Sequence, residues 1–312
     1  MWGGILQRRG LPFRTVLADL HRHLDGSLRR ATLEELARER GLTVPRDLAF
    51  RAGMGLEDAL SRFAFTLAAL QEPRAVARVA SEICEDAARE GVTTLEVRFA
   101  PQLHRGGSLE EIVDAALEGV AGRAGIVLCG LYGEPPAQIE AFVRVARGRP
   151  GVVGIDLAGG PSGAHAWDMR SYAPPFSLAR DAGLGRTVHA GEGRPPEEIR
   201  LAIEELHAQR IGHGTTLLED RGVLDLVLER GVTIEACLTS NLHTGAIKEI
   251  EEHPLARWLE LGVRACINTD NTLLSDTNAP IEHALAGKLP GMTRAHLARA
   301  IANGHAAAFR RA

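Results

Sequence analysis

Thr15-Val16-Leu17-Ala18-Asp19-Leu20-His21-Arg22-His23-Leu24-Asp25-Gly26 sets how the rest of the chain is read. Its apolar start has the composition of a buried strand. The strand is followed by a pair of imidazoles, not by the Gly-x-Gly-x-x-Gly turn that an open dinucleotide-binding sheet carries after its first strand. Residues two apart in a strand leave on the same face. His21 and His23 therefore form half a site for a borderline metal such as zinc, whose remaining nitrogen or oxygen ligands must come from elsewhere in the chain.

Working outward, short apolar and β-branched runs that close on Gly, Pro, Asn or Asp recur along the sequence. They predict strands at 16–20, 93–99, 126–131, 152–157, 186–189, 210–212, 232–237 and 264–268. Between most of them lie segments with apolar spacings of three and four, at 75–90, 108–119, 136–147, 176–182, 195–206, 220–230 and 253–261. Gly91-Val92, Gly125-Ile126, Gly151-Val152, Gly231-Val232 and Gly262-Val263 are helix stops that feed strands. Eight alternating units predict an α/β fold, a (β/α)8 TIM barrel forming one domain over residues 1–312. Extra helices at 32–41 and 56–71 are inserted after the first strand. Leu56, Leu60, Phe63 and Leu67 share one face of the second. Core packing accounts for most of that face, and a lid over the barrel mouth is the functional alternative.

Hydrophobic residues make up 45% of the 312 and charged residues 24%, the balance of a globular chain. The net charge of −4, with no concentrated basic patch, argues against nucleic acid as a partner. The pairs Arg8-Arg9 and Arg29-Arg30 are isolated and read as solvated surface. No apolar run approaches the ~20 residues of a membrane span. The opening Met1-Trp2-Gly3-Gly4-Ile5-Leu6-Gln7-Arg8-Arg9 lacks the order of a signal peptide, so a cytoplasmic enzyme is expected, with its oligomeric state left open. Cys84, Cys129, Cys237 and Cys266 form no C-x-x-C pair and read as buried thiols.

Catalytic residues of such barrels sit at the carboxyl ends of strands. Those ends carry His21-Arg22-His23, Asp156-Leu157-Ala158-Gly159, His189-Ala190-Gly191-Glu192, Gly212-His213-Gly214, Thr239-Ser240-Asn241 and Asn268-Thr269-Asp270-Asn271. A lone strand-end histidine is more often structural than a ligand, and an Asp in such a turn is more often a cap. Four histidines, a glutamate and an aspartate in one phase of a repeating unit are a different matter. His104, His165, His207, His243, His253, His283, His296 and His305 lack that phase, and most of them read as surface or loop residues.

The constellation resembles the adenosine deaminase family of zinc-dependent barrels. The matching stretches are His21-Arg22-His23-Leu24-Asp25-Gly26, Glu96-Val97-Arg98-Phe99-Ala100-Pro101, Asp156-Leu157-Ala158-Gly159, His189-Ala190-Gly191-Glu192, Arg210-Ile211-Gly212-His213-Gly214, Thr239-Ser240-Asn241-Leu242 and Asn268-Thr269-Asp270. They occur in the family's order and span nearly the whole chain. The likeness is greatest to bacterial members, some of which also carry an SDT-like segment such as Ser275-Asp276-Thr277.

The resemblance implies one zinc ion per chain held by His21, His23, His189 and Asp270, and a purine nucleoside as the small-molecule substrate. It implies that Glu192 protonates purine N1, that His213 orients and helps deprotonate the attacking water, and that Asp270 also bonds to that water. The backbone N–H of Gly159 would meet purine N3, Asp25 the ribose 5′-hydroxyl, and Asn271 purine N7. A carboxylate at Asp25 would repel a 5′-phosphate, and capping of the Asp25-Gly26 turn is its structural alternative. For Glu192 the alternative is a helix N-terminal carboxylate ahead of Pro195, and the two roles are compatible.

Three residues depart from the family pattern. Asn271 stands where most relatives have aspartate, Ala59 where many have an aromatic residue, and Leu238 where proline is frequent. Asn271 keeps a donor for N7 but does not titrate, Ala59 widens the pocket, and Leu238 changes loop stiffness. The expected reaction is hydrolytic deamination of adenosine, and of 2′-deoxyadenosine. The alternatives are deamination of another 6-aminopurine (adenine, a 5′-modified adenosine or aminodeoxyfutalosine) and an inactive nucleoside-binding barrel. A cytidine-type deaminase is disfavoured, because its His-x-Glu and Pro-Cys-x-x-Cys motifs are absent.

Overall fold

The computed structural model describes residues 16–309. The opening stretch Met1–Arg9, with its Arg8-Arg9 pair, lies outside the described residues. Eight strands, β1 (Leu17–His23), β2 (Val92–Phe99), β3 (Gly125–Leu131), β4 (Val152–Ala158), β5 (Gly185–Ala190), β6 (Arg210–His213), β7 (Thr233–Ala236) and β8 (Arg264–Ile267), form one sheet in chain order. Every neighbouring pair is parallel. Parallel neighbours need a crossover, and helical segments supply one between each successive pair of strands, as the alternation predicts.

The sheet curls into the expected barrel and closes through the residues just beyond β8. The His23 N–H donates to the Asp270 carbonyl at 2.8 Å, and the Asp270 N–H donates to the His21 carbonyl at 2.7 Å. Arg22 and Asp270 thereby form a parallel bridge, with Asp270 in the left-handed region at φ 61°. Closure thus brings Asp270 against the paired histidines by backbone pairing alone.

α1 (Arg30–Glu39), α2 (Leu56–Ala69) and α3 (Pro73–Arg89) lie between β1 and β2. α3 is an ordinary barrel helix, with Val76, Val79, Ala80 and Ile83 buried at helical spacing. The insertion predicted after the first strand is α1 and α2. α4 (Leu109–Val120), α5 (Ala137–Ala146), α6 (Ala173–Asp181), α7 (Glu197–Glu204) and α8 (Arg221–Arg230) cross between successive strands. Their ends carry ordinary signals: a Ser108–Glu111 capping box opens α4, and Asp220 and Gly231 bound α8. α9 (Leu238–His243) and α10 (Leu255–Glu260) both lie between β7 and β8, and α11 (Ala279–Ala286) and α12 (Arg294–Ala307) follow β8. Among the described residues no helix is long and apolar enough to cross a membrane.

Several boundaries differ from the sequence pattern. β1 runs through His23, past the predicted end at 20, because backbone pairing to Arg98 continues where the apolar pattern stops. α9 follows β7 directly, where the sequence pattern reads Leu238 as part of a loop; six mostly polar residues give no helical periodicity to read. Leu238 is the first residue of that helix, a position that also suits proline, so it does not act through loop stiffness. His104, His253 and His283 are buried, not surface residues: each ring bonds a buried neighbour, at Leu70 O, Asn241 Oδ1 and Ala279 O respectively. All four cysteines are buried free thiols, as expected.

Candidate active site

A cavity of about 400 Å³ opens at the carboxyl ends of the strands. Eight of the nine residues singled out in the sequence border it: His23, Asp25, Gly159, His189, Glu192, His213, Asp270 and Asn271. The ninth, His21, is completely buried among their rings. The roof is α2, whose Leu56, Leu60, Phe63 and Leu67 all face the cavity. That face therefore covers the mouth as a lid; it does not pack chiefly into the core. Ala59 is on the same roof and is buried.

The four imidazoles form a tight group. Ring centroids are 4.6 Å apart for His21 and His189, 5.0 Å for His21 and His213, 5.1 Å for His189 and His213, and 5.3 Å for His21 and His23. Asp270 Oδ1 lies 3.5 Å from His23 Nε2 and 3.7 Å from His21 Nε2. Potential donor atoms come closest in two groups, His21 with His189 and His213, and His21 with Cys237 and Asp270. His23 stands slightly outside both.

The outer nitrogens of two rings are already engaged. His21 Nδ1 lies 2.7 Å from Glu235 Oε2, and His189 Nδ1 lies 3.1 Å from Asp156 Oδ1. Carboxylates behind imidazoles fix the tautomer and aim Nε2 inward, the support that metal-ligating histidines usually have. His21 Nε2 is buried with no hydrogen-bond partner. An orphaned imidazole nitrogen, three further imidazoles and a carboxylate fit a divalent metal of borderline softness.

Beneath the rings runs a buried charge network that the sequence reading did not assign. Arg98 donates to Asp156 Oδ2 and Glu235 Oε2, each at 2.9 Å, and Arg210 reaches Glu96 and Glu235. Burial opposes the charge on Asp156, yet His189 and Arg98 hold it below the usual carboxylate range. Burial and the neighbouring Arg98 hold His21 well below the usual imidazole range. One signal was available: Thr233-Ile234-Glu235-Ala236 puts a glutamate inside a strand of a closed parallel barrel, where a charge persists only with partners.

Glu192 sits on the loop after β5, before α7 begins, and its hydrogen bonds go to Asn241 and Thr244. Its Oε1 accepts from Thr244 Oγ1 at 2.8 Å and from Asn241 Nδ2 at 3.5 Å, and lies 3.7 Å from His213 Nδ1. Burial pushes its carboxyl above the usual range. Burial likewise pushes His213 down to about 4. Burial thus favours the uncharged form of both groups, which share one wall of the cavity.

Across the cavity, Asp25 Oδ1 and Asn271 Oδ1 are buried without hydrogen-bond partners. Burial pushes Asp25 up to about 7. Gly26 lets Asn271 fold over it, since a Cβ there would lie 1.9 Å from Asn271 Oδ1. Gly159 ends β4 with φ 81°, a left-handed backbone that suits glycine and leaves open space beside it.

The family model described as adenosine deaminase matches residues 17–312. The chain belongs to the adenosine deaminase family. A curated adenosine deaminase of Escherichia coli (strain SE11) is 36% identical over 94% of this chain and 93% of its own. Among solved structures of the family's barrel, an Arabidopsis N6-mAMP deaminase superposes with a TM-score of 0.83 at 26% identity, covering 95% of this chain and 94% of that one. An adenine deaminase from Arthrobacter aurescens gives a TM-score of 0.85 at 24% identity, with 95% and 94% covered, and bears on the fold alone.

Proposed function

We propose that this protein catalyses the hydrolytic deamination of adenosine, and of 2′-deoxyadenosine, to the inosine product and ammonia. The observation that carries the reading is the placement of Glu192 and His213 against the His21, His23, His189 and Asp270 cluster in one lidded cavity. Membership in the family and 36% identity to a curated adenosine deaminase support the substrate.

In this reading His21, His23, His189 and Asp270 hold one zinc ion, and His213 stands beside it without ligating it. When bound, the ion supplies Lewis-acid activation, lowering the pKa of water toward ~7. Asp270 takes up the proton of the water that adds to purine C6, and His213 orients that water. Glu192, whose protonated form burial favours, delivers a proton to N1 as electron density moves into the ring. The lid residues on α2 exclude bulk water. The proton held by Asp270 then passes to the C6 amino group, the adduct's hydroxyl proton returns to Glu192, and breaking of the C6–N bond releases ammonia. The Gly159 N–H meets N3, and the Asn271 amide donates to N7.

Asp25 decides between nucleoside and nucleotide. One structural relative is an N6-mAMP deaminase, so nucleoside monophosphates are the rival substrate class. Once the buried Asp25 carboxyl ionises, above about pH 7, a 5′-phosphate beside it would meet a like charge, whereas a 5′-hydroxyl can donate to its unpartnered Oδ1. The test is a panel of adenosine, 2′-deoxyadenosine, adenine, AMP and N6-mAMP on zinc-loaded protein, followed by the fall in purine absorbance. Adenosine should have the highest kcat/KM. A higher value for AMP or adenine rejects the substrate assignment, and zinc-loaded protein that deaminates none of them is an inactive binding barrel.

A further inference from the structure

We infer that Asn241 and His253 form a buried positioning relay that dictates which atoms of His213 and Glu192 carry protons. The relay starts from a group whose role is unambiguous. The backbone N–H of Leu255 donates to His253 Nδ1 at 3.2 Å. A backbone amide can only donate, so Nδ1 is the acceptor and the proton of the neutral ring is on Nε2. The ring is 3% exposed, packs edge-on to Trp258, and has no carboxylate bonded to it. Burial, reinforced by His213, pushes it down to about 3, which keeps it neutral.

His253 Nε2 lies 3.2 Å from Asn241 Oδ1, which must accept. This fixes the orientation of the Asn241 carboxamide. Its Nδ2 then faces His213 Nδ1 at 3.0 Å and Glu192 Oε1 at 3.5 Å. Nδ2 can only donate, so His213 Nδ1 is an acceptor and the proton of the neutral ring is on Nε2. His213 therefore meets the His21 and His189 rings with an N–H rather than a lone pair. It is close enough to be grouped with them as a ligand, but in this tautomer it serves as a donor to whatever lies between.

The same carboxamide acts on the acid. Glu192 Oε1 accepts from both Asn241 Nδ2 and Thr244 Oγ1, so the proton of the neutral carboxyl is on Oε2, the oxygen left free. Asn241 is held in place by α9, whose first turn is tied to α11: Glu282 accepts from the Thr239 N–H at 3.3 Å and from the Thr239 hydroxyl. One neutral amide thus sets complementary proton positions on two catalytic groups.

The test reads the ring nitrogens of 15N-histidine-labelled, zinc-loaded protein by NMR, with His213 assigned by its loss in a His213→Gln spectrum. The expected result is an unprotonated Nδ1 and a protonated Nε2. A proton on Nδ1 of wild-type His213 overturns the inference without any relay variant being made. Asn241→Asp replaces the donor with an acceptor. It should move the proton to Nδ1 and lower kcat by roughly 10²- to 10⁴-fold, with KM and zinc content little changed. His253→Phe should give mixed tautomers and His253→Gln should restore the wild-type pattern, which covers the case in which Asn241→Asp does not fold. Wild-type kcat in a protein with the shifted tautomer overturns the inference, as does zinc loss that accounts for the whole effect. The kinetic half rests on the proposed deamination; the spectrum does not, so the two can fail separately.

Discussion

His21 Nδ1 and Glu235 Oε2 are 2.7 Å apart, and both side chains are fully buried. Glu235 also accepts from Arg98 and Thr187 and pairs with Arg210, so one carboxylate is shared by two guanidinium groups while it orients a ring of the metal cluster. Glu235→Gln keeps the shape and removes the charge. Two effects are expected. Zinc affinity should fall by about 10- to 100-fold, the usual cost of losing a partner behind a ligating histidine. Stability of the metal-free protein should fall by ~3–5 kcal/mol, the usual cost of removing one partner from a buried ion-pair network. Zinc titration and urea denaturation of apoprotein separate the two, and unchanged zinc affinity would remove Glu235 from the site.

Glu192 gives the pH profile its alkaline side. Burial raises its carboxyl above the ordinary glutamate value, so the protonated form that donates to N1 persists to higher pH than in an exposed glutamate. The sign follows: kcat/KM should be sustained as pH rises past the usual carboxylate range and then fall as Glu192 ionises. Glu192→Gln should retain zinc and lose about 10²- to 10⁴-fold in kcat, and its residual activity should lack that limb. His21→Ala should lose zinc and turnover together. Metal analysis and pH–rate profiles check both, and an active Glu192→Gln protein would exclude Glu192 as the acid.

The residues facing the cavity were legible in the sequence, and those behind them were not. His21, His189, His213 and Asp270 announce themselves because the repeating unit puts each in one phase, at a strand end where chemistry collects. Glu235 carries no such phase: it is interior to β7, and only its charge within a buried strand marks it. Asn241 was legible as part of a motif, but its role depends on His253, twelve residues on, and on a short polar helix without periodicity. The apolar face of α2 has the same helical spacing whether it meets a core or a cavity, so the pattern could not choose, and the structure shows the cavity.

Gly26 and Asn271 form a contact that a double-mutant cycle can read. A methyl at Gly26 would overlap the Asn271 carboxamide, whose Oδ1 would be 1.9 Å away, and Asn271 borders the cavity. Gly26→Ala should therefore raise KM for adenosine while leaving zinc content unchanged. In an Asn271→Ala background the same substitution should have little further effect, since the obstructed atoms are gone. Steady-state kinetics on the four proteins gives the coupling, expected at about 0.5–3 kcal/mol for residues in direct contact. Additive effects would show that Gly26 acts through its backbone turn.

Asp25 is the residue through which substrate class can be changed. Its Oδ1 is buried and unpartnered at the cavity wall, an arrangement that costs free energy unless a ligand supplies the donor. A ribose 5′-hydroxyl is such a donor, and a hydrogen bond to a charged group is worth ~1.5–3 kcal/mol. Asp25→Asn keeps the volume and an acceptor oxygen while removing the charge that repels phosphate. The variant should lose roughly 10- to 150-fold in kcat/KM on adenosine, the rate equivalent of that bond. AMP should lose less or gain, because its electrostatic penalty is relieved at the same time. The decisive quantity is the ratio of the two kcat/KM values measured side by side, which cancels any general damage to the protein. A ratio that stays at the wild-type value would show that Asp25 caps its turn and does not read the ribose.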